Sequence, residues 1–182
     1  ERVTGSAHNL SFQTACGIIR AFINDESVTV NLTDPKGLVL NEIISTSTGD
    51  KTVHSLNTGV PHAVLFVDDA DEAMVANIGA EIRHHEHFSP TGTNVNFVQV
   101  LGVGHIRVRT YERGVGETLA CGTGVSASGM ISANLNNWPS PVKVDVLGGD
   151  QLEVGFLRED DCFSAVQLIG PADFVFEGEV DI

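Results

Sequence analysis

Apolar and polar residues alternate with a period of two along most of this chain, and the alternating runs are rich in β-branched side chains. Such runs cover residues 10–16, 18–23, 28–32, 53–56, 63–67, 94–100, 105–111, 142–146, 151–156 and 165–169, which predicts a strand-rich protein. Asn24-Asp25-Glu26, Gly148-Gly149-Asp150 and residues 158–161 lie between runs as turn sequences, so hairpins are expected. Two segments carry a helical pattern instead. One covers residues 70–84 and is opened by Asp68-Asp69; the other covers 124–136, is rich in Ser and Ala, and has Val125, Met130, Ile131 and Leu135 as its apolar positions. Ser, Thr, Gly and charged residues cluster over 44–52, where a domain crossing is expected, and no solenoid-type repeat is present.

The chain has 182 residues, 42% hydrophobic and 19% charged, which is enough for a real core in one large or two small globular domains. Its formal charge of -14 argues against nucleic acid or an anionic membrane as partner, because neither polyanion gains by approaching an acidic surface. A small ligand that brings its own ammonium groups suits such a surface better. No apolar stretch approaches the ~20 residues that span a bilayer, and the start, Glu-Arg-Val-Thr-Gly-Ser, has no signal-peptide pattern, so a cytoplasmic location is expected.

Cys16, Cys121 and Cys162 are odd in number and far apart, without the paired spacing of a disulfide framework or a zinc site. Free thiols are expected. Cys16 sits in an apolar strand-like stretch and Cys162 follows an acidic loop, so packing or surface roles are the reading for both. Cys121 differs, because Gly122-Thr123-Gly124 and a run of small residues follow it and open the second helix. Glycine lets successive amides point together, and a helix start adds positive potential, an arrangement that lowers a thiol pKa and binds a carboxylate. The bland reading of the same residues is a tight strand-to-helix connection.

Glu112-Arg113-Gly114 ends a strand eight residues before the cysteine and offers an Arg fork for a carboxylate and a Glu for an ammonium group. Those are the two ends of an amino acid. His62 follows Gly59-Val60-Pro61 on a rigid turn, where an imidazole either faces a cleft or simply packs. Asn94 opens a strand, where an amide serves a site or a turn. Arg83-His84-His85-Glu86-His87 looks superficially like a metal site, but its histidines share no single face and flank a helix end, so a solvated terminus is expected and no metal.

The segment from Tyr111 to Gly124, with residues 59–68 and 94–100, resembles diaminopimelate epimerase, a cofactor-independent amino-acid epimerase family of lysine and peptidoglycan precursor synthesis. The resemblance runs in order to Gly170-Pro171-Ala172 and Phe176-Glu177-Gly178-Glu179, and the Glu-Arg-Gly-x-Gly-Glu-Thr-x-Ala-Cys-Gly-Thr-Gly block is its most specific part. It implies two-thiol chemistry interconverting LL- and meso-diaminopimelate: one cysteine removes the α-proton and another returns a proton to the opposite face. Cys121 matches the second of those cysteines. Gly122 and Thr123 amides would then hold the α-carboxylate, Arg113 and Asn94 the distal end, and Glu112 and His62 would tune the thiol and contact the substrate. The family also implies no cofactor and a homodimer.

Two departures stand out. Nothing in the chain matches the family's N-terminal Cys-Gly-Asn-Gly segment, which carries the other catalytic cysteine, so roughly the first third of an ordinary family chain is expected to be missing. The 182 residues alone are therefore expected to be inactive or nearly so. Val60 also stands where many relatives have a substrate-binding asparagine. The resemblance implies an α/β (α+β) fold of two similar domains, each a curled, mostly antiparallel sheet around a central helix. Residues 1–52 and 171–182 would be the remnant of a truncated first domain, and 53–170 the second. A proline or hydroxyproline racemase of the same fold, or a non-catalytic amino-acid-binding module, are the alternatives.

Overall fold

The alternating runs pair into one sheet in the computed structural model of the chain, which describes residues 8–14, 17–24, 27–173 and 176–179. Strands β1 (Asn9–Thr14), β2 (Gly17–Ile23), β3 (Val28–Asn31), β4 (Lys36–Thr46), β5 (Gly49–Asn57) and β6 (Pro61–Phe66) precede helix α1 (Val75–His84). A 3-10 turn (Glu86–Phe88), β7 (Asn94–Gly102), β8 (His105–Glu112) and β9 (Gly116–Thr118) lead to helix α2 (Gly122–Asn136). Strands β10 (Val142–Val146), β11 (Gln151–Glu159) and β12 (Cys162–Gly170) follow. The sheet order is β1-β2-β3-β12-β11-β10-β8-β7-β6-β5-β4, with β9 on β8. Among the described residues, only the β6/β7 and β8/β10 pairings are parallel. This is the expected α+β fold, a large curled sheet with a helix on each face.

Period two decides which helix each side chain meets. Along β6 and β7, Ala63, Leu65, Val95 and Phe97 pack with Val75, Ile78 and Ile82 of α1, while Val64 and Val98 point to α2. The sheet curls around α2, which touches strands from β5 to β12 and is buried on every side from Gly124 to Ala133. A helix enclosed in this way needs small residues more than an apolar stripe. Gly129, for example, faces Val154 so closely that an added Cβ would sit 3.1 Å from its side chain. Leu135, expected among the apolar positions of this helix, is instead 40% exposed beyond the enclosed part.

Several expectations are corrected by this arrangement. Strands β4 and β9 have no counterpart in the alternation pattern. Helix α1 begins at Val75 rather than residue 70, because Asp69 Oδ1 accepts the Asp71 amide and Ala70 O the Ala73 amide, closing turns instead of a helix. Helix α2 begins two residues earlier than expected, with Cys121 as its cap residue. The described residues of 171–182 form no strand, and Cys16 lies outside the described residues. His84 bonds back to Ala80 O and His87 pairs with Glu42 at 2.8 Å, so these histidines point in different directions.

Arg109 on β8 ties the turns before α1 to the sheet. Its Nη1 donates to Ala70 O and Asp71 O, each at 2.8 Å, and its Nε donates to Glu117 at 2.7 Å. The side chain is only 15% exposed, so the contacts are poorly replaced by water. Arg109→Lys cannot reach all three acceptors, and it is expected to lower stability by about 1–2 kcal/mol in urea unfolding. An unchanged midpoint would show that the fork is ornamental.

Candidate active site

Three strand ends and one helix start converge on Cys121. The β8–β9 hairpin turns at Arg113-Gly114-Val115, pairing Glu112 with Gly116 and Thr110 with Thr118, and returns the chain to Cys121. The loop is held by Gly148, whose amide donates to Leu119 O at 2.9 Å. Cys121 is extended, with φ -135° and ψ 104°, and its carbonyl accepts the Val125 amide, the first helical bond of α2. The sulfur is thus placed at the positive end of the helix.

The amides of the first turn have no helical acceptors. That of Gly124 bonds the Cys121 sulfur. Those of Gly122 and Thr123 have no protein acceptor among the described residues, and no acidic side chain occupies the first turn. Two adjacent free N–H groups beside a thiol are a ready site for a carboxylate.

Four side chains reach the same place. Thr123 Oγ1 lies 3.5 Å from Cys121 Sγ and 3.0 Å from His62 Nε2. Thr58 donates to Thr123 O at 3.1 Å, fixing the turn from the β5–β6 side. Glu112 bears on the sulfur as well, and its Oε1 accepts Thr118 Oγ1 at 2.7 Å. Asn94 pairs in register with His62, and its Oδ1 accepts the Arg113 amide at 2.9 Å. The arginine donates Nη1 to Thr91 O, while its buried Nε has no partner among the described residues. Val60 is half-buried and contributes its carbonyl to the turn, accepting the Thr58 amide.

Electrostatics correct one expectation. Burial pushes the Cys121 thiol above its ordinary pKa, outweighing the Thr123 hydroxyl and Gly124 amide that favour thiolate. The Glu112 charge and hydrogen bond add to the rise. The helix start is present as expected, but the thiol of a residue only 7% exposed loses more from desolvation than it gains there. His62 goes the other way: burial, helped by the Arg113 charge, lowers its pKa to about 3, so the imidazole is neutral.

The structure therefore brings Cys121, Thr123, His62, Glu112 and Gly122 together, with Asn94 and Arg113 joined at the neighbouring strand ends. It also brings in Asn96, Thr110, Thr58 and Thr118, which sequence reasoning did not single out. A signal for the first was available, since Asn94 and Asn96 are two apart on an apolar strand and so share the face that meets α2. Cys162 is exposed at the far end of α2, where Asn134 bonds Asp161, and takes no part here.

Residues 54–175 match the family described as diaminopimelate epimerase. The chain is 44% identical over 176 residues to the diaminopimelate epimerase of Hydrogenobaculum sp. (strain Y04AAS1), covering 93% of this chain and 61% of that protein. It is 40% identical to that of Aquifex aeolicus (strain VF5), covering 95% and 62%. The chain thus spans about three-fifths of the length of these relatives. Among solved structures, a probable proline racemase from Agrobacterium radiobacter K84 superposes with TM-score 0.72 at 19% identity, over 96% of this chain and 60% of that one. A Bacillus anthracis phenazine biosynthesis protein of the PhzF family gives TM-score 0.72 at 14% identity, over 97% and 70%. Both of these likenesses are of fold.

Proposed function

Because the chain belongs to the diaminopimelate epimerase family, we propose that it carries one half of a two-thiol site for LL- and meso-diaminopimelate, working without a cofactor. The observation that supports this most is the Cys121 sulfur beside the Gly122 and Thr123 amides, which are unpaired among the described residues, at the start of α2. In this reading those amides hold the α-carboxylate and so set the α-carbon against the sulfur. As the α-proton leaves, negative charge spreads onto the carboxylate, where the amides are already oriented to receive it. Arg113 and the Nδ2 of Asn94 take the distal end of the substrate. Glu112 and neutral His62 set the proton on the thiol.

Proton transfer with inversion needs a base on one face of the α-carbon and an acid on the other. The raised thiol pKa suits Cys121 to resting as the acid, ready to deliver a proton. No second cysteine in the 182 residues stands in a comparable glycine turn. Residues 53–170 are read as the unit carrying the site, and 1–52 with 171–182 as part of a second unit. A cytoplasmic homodimer acting in lysine and peptidoglycan precursor synthesis is the setting the family reading implies.

Proton NMR of LL-diaminopimelate in D2O with the 182-residue chain tests this. The expected result is substrate line broadening that Arg113→Ala removes, with loss of the α-proton signal far slower than in a complete epimerase. Epimerisation at an ordinary rate by a sample shown to contain only this chain would overturn the one-base reading. Absence of broadening, or broadening by proline instead, would overturn the substrate.

A further inference from the structure

Behind the residues that face the substrate site lies a buried polar chain whose links from Ala63 to Thr123 have only one consistent arrangement of hydrogens. Asn96 is fully buried on β7. Its Nδ2 lies 3.1 Å from Ala63 O and 3.2 Å from His62 Nδ1, and its Oδ1 lies 2.9 Å from Thr110 Oγ1. A carbonyl oxygen only accepts, so the atom facing Ala63 O is the amide nitrogen, and its second hydrogen is directed at His62 Nδ1. The imidazole is neutral, so Nδ1 carries the lone pair and the ring proton sits on Nε2. That proton is donated to Thr123 Oγ1 at 3.0 Å. With the His62 proton accepted on one lone pair, the Thr123 hydroxyl keeps its own hydrogen for the remaining neighbour, the Cys121 sulfur at 3.5 Å, and a thiolate there has no hydrogen and can only accept it.

We infer that Asn96 is a positioning residue of this site: it locks His62 in the Nε2–H tautomer and thereby orients the Thr123 hydroxyl as a hydrogen-bond donor to the Cys121 sulfur. The inference rests on the reading of Cys121 as a proton-transfer thiol. Four links run from a strand carbonyl to the sulfur, and the first of them is fixed by the backbone of β6. Reversing any link would turn the Thr123 hydrogen back toward His62 and leave the thiolate one donor short. The other charged groups near this chain are Glu112, which favours the protonated thiol, and Arg113, which disfavours imidazolium.

Nitrogen NMR of His62 in the unaltered chain is the first test, with Nε2 expected as the protonated nitrogen and Nδ1 as the bare one. Asn96→Asp places an acceptor against Nδ1 and is expected to move the ring proton there. In a Cys16→Ser, Cys162→Ser background, iodoacetamide alkylation of Cys121 should then shift to higher pH. At a fixed pH below the thiol pKa its rate should fall roughly tenfold, the size of one lost hydrogen bond to a charged group. Asn96→Ala, which removes the donor without adding charge, should give mixed tautomers and a smaller shift in the same direction.

A purely structural asparagine would move the unfolding midpoint but not the alkylation profile of the chain that remains folded. An Nδ1–H tautomer in the unaltered chain overturns the inference, and it decides the matter even if neither variant folds. A switched tautomer with an unchanged alkylation profile overturns it too. Neither readout uses diaminopimelate, so failure of the substrate reading and failure of this one are told apart.

Discussion

Gly124→Ala is expected to lower the stability of the chain by roughly 1–3 kcal/mol, although alanine is the better helix former by about 1 kcal/mol. The two effects oppose one another, and packing decides. Gly124 lies in the first turn of α2, where the helix is pressed against β6 and β7. A Cβ there would run into Asn96 Oδ1 and lie 3.2 Å from His62 Cε1. Neither neighbour can give way cheaply. Asn96 is held by Ala63, Thr110 and His62, and His62 by Asn96 and Thr123, all of them buried or nearly so. To admit a methyl group the helix start must rise off the sheet or the amide must break its bonds. Either movement disturbs the turn that carries Cys121. Urea unfolding of the variant checks this, and a gain in midpoint, as propensity alone would give, would mean the contact is looser than it looks.

The same neighbourhood shows why part of this molecule was legible from its sequence. Strands β6 and β7 read clearly because α1 and α2 cover their two faces and each demands its own apolar set, whereas β8 and β10 alternate because one face meets α2 and the other carries polar side chains. Cys121, Glu112 and His62 were found because each sits at an element end marked by glycine or proline. Strand β4 stayed hidden for a physical reason. It lies at the sheet edge, with Asn41 at φ 61° and two register shifts against β5, so its polar residues follow no single period. The Asn41 amide is instead satisfied by His54 Nδ1 at 3.2 Å. Asn96 and Thr110 were missed because they are ordinary strand residues until the register places them opposite one another beneath the helix. The direction of the thiol shift was missed for a different reason. The turn sequence reveals the donors around the sulfur, whereas the burial that outweighs them comes from the packing of the whole curled sheet.

Acid should cost this fold an unusual amount of stability through His62. Its pKa is about 3 in the folded chain against 6.5 when unfolded, so below pH 6.5 the unfolded state takes up a proton that the folded state refuses. Stability is therefore fully present above the unfolded value and falls as pH drops toward 3. Between pH 7 and pH 4.5 the loss assigned to this one side chain is roughly 2–3 kcal/mol. His54, whose pKa burial also lowers against the pull of Glu42, adds in the same direction. Protonating His62 would place a charge beside Arg113 and convert Nδ1 from an acceptor of the Asn96 amide into a second donor facing it. The fold has no acceptor there to receive it. His62→Gln keeps a polar side chain but cannot titrate, and whatever it costs at pH 7 it should flatten the pH dependence. Carboxylates and His54 are common to both chains, so the difference in slope between pH 7 and pH 4.5, read from urea midpoints, belongs to His62. If the glutamine variant loses as much stability on acidification as the unaltered chain, the imidazole is not the neutral, locked group that the site requires.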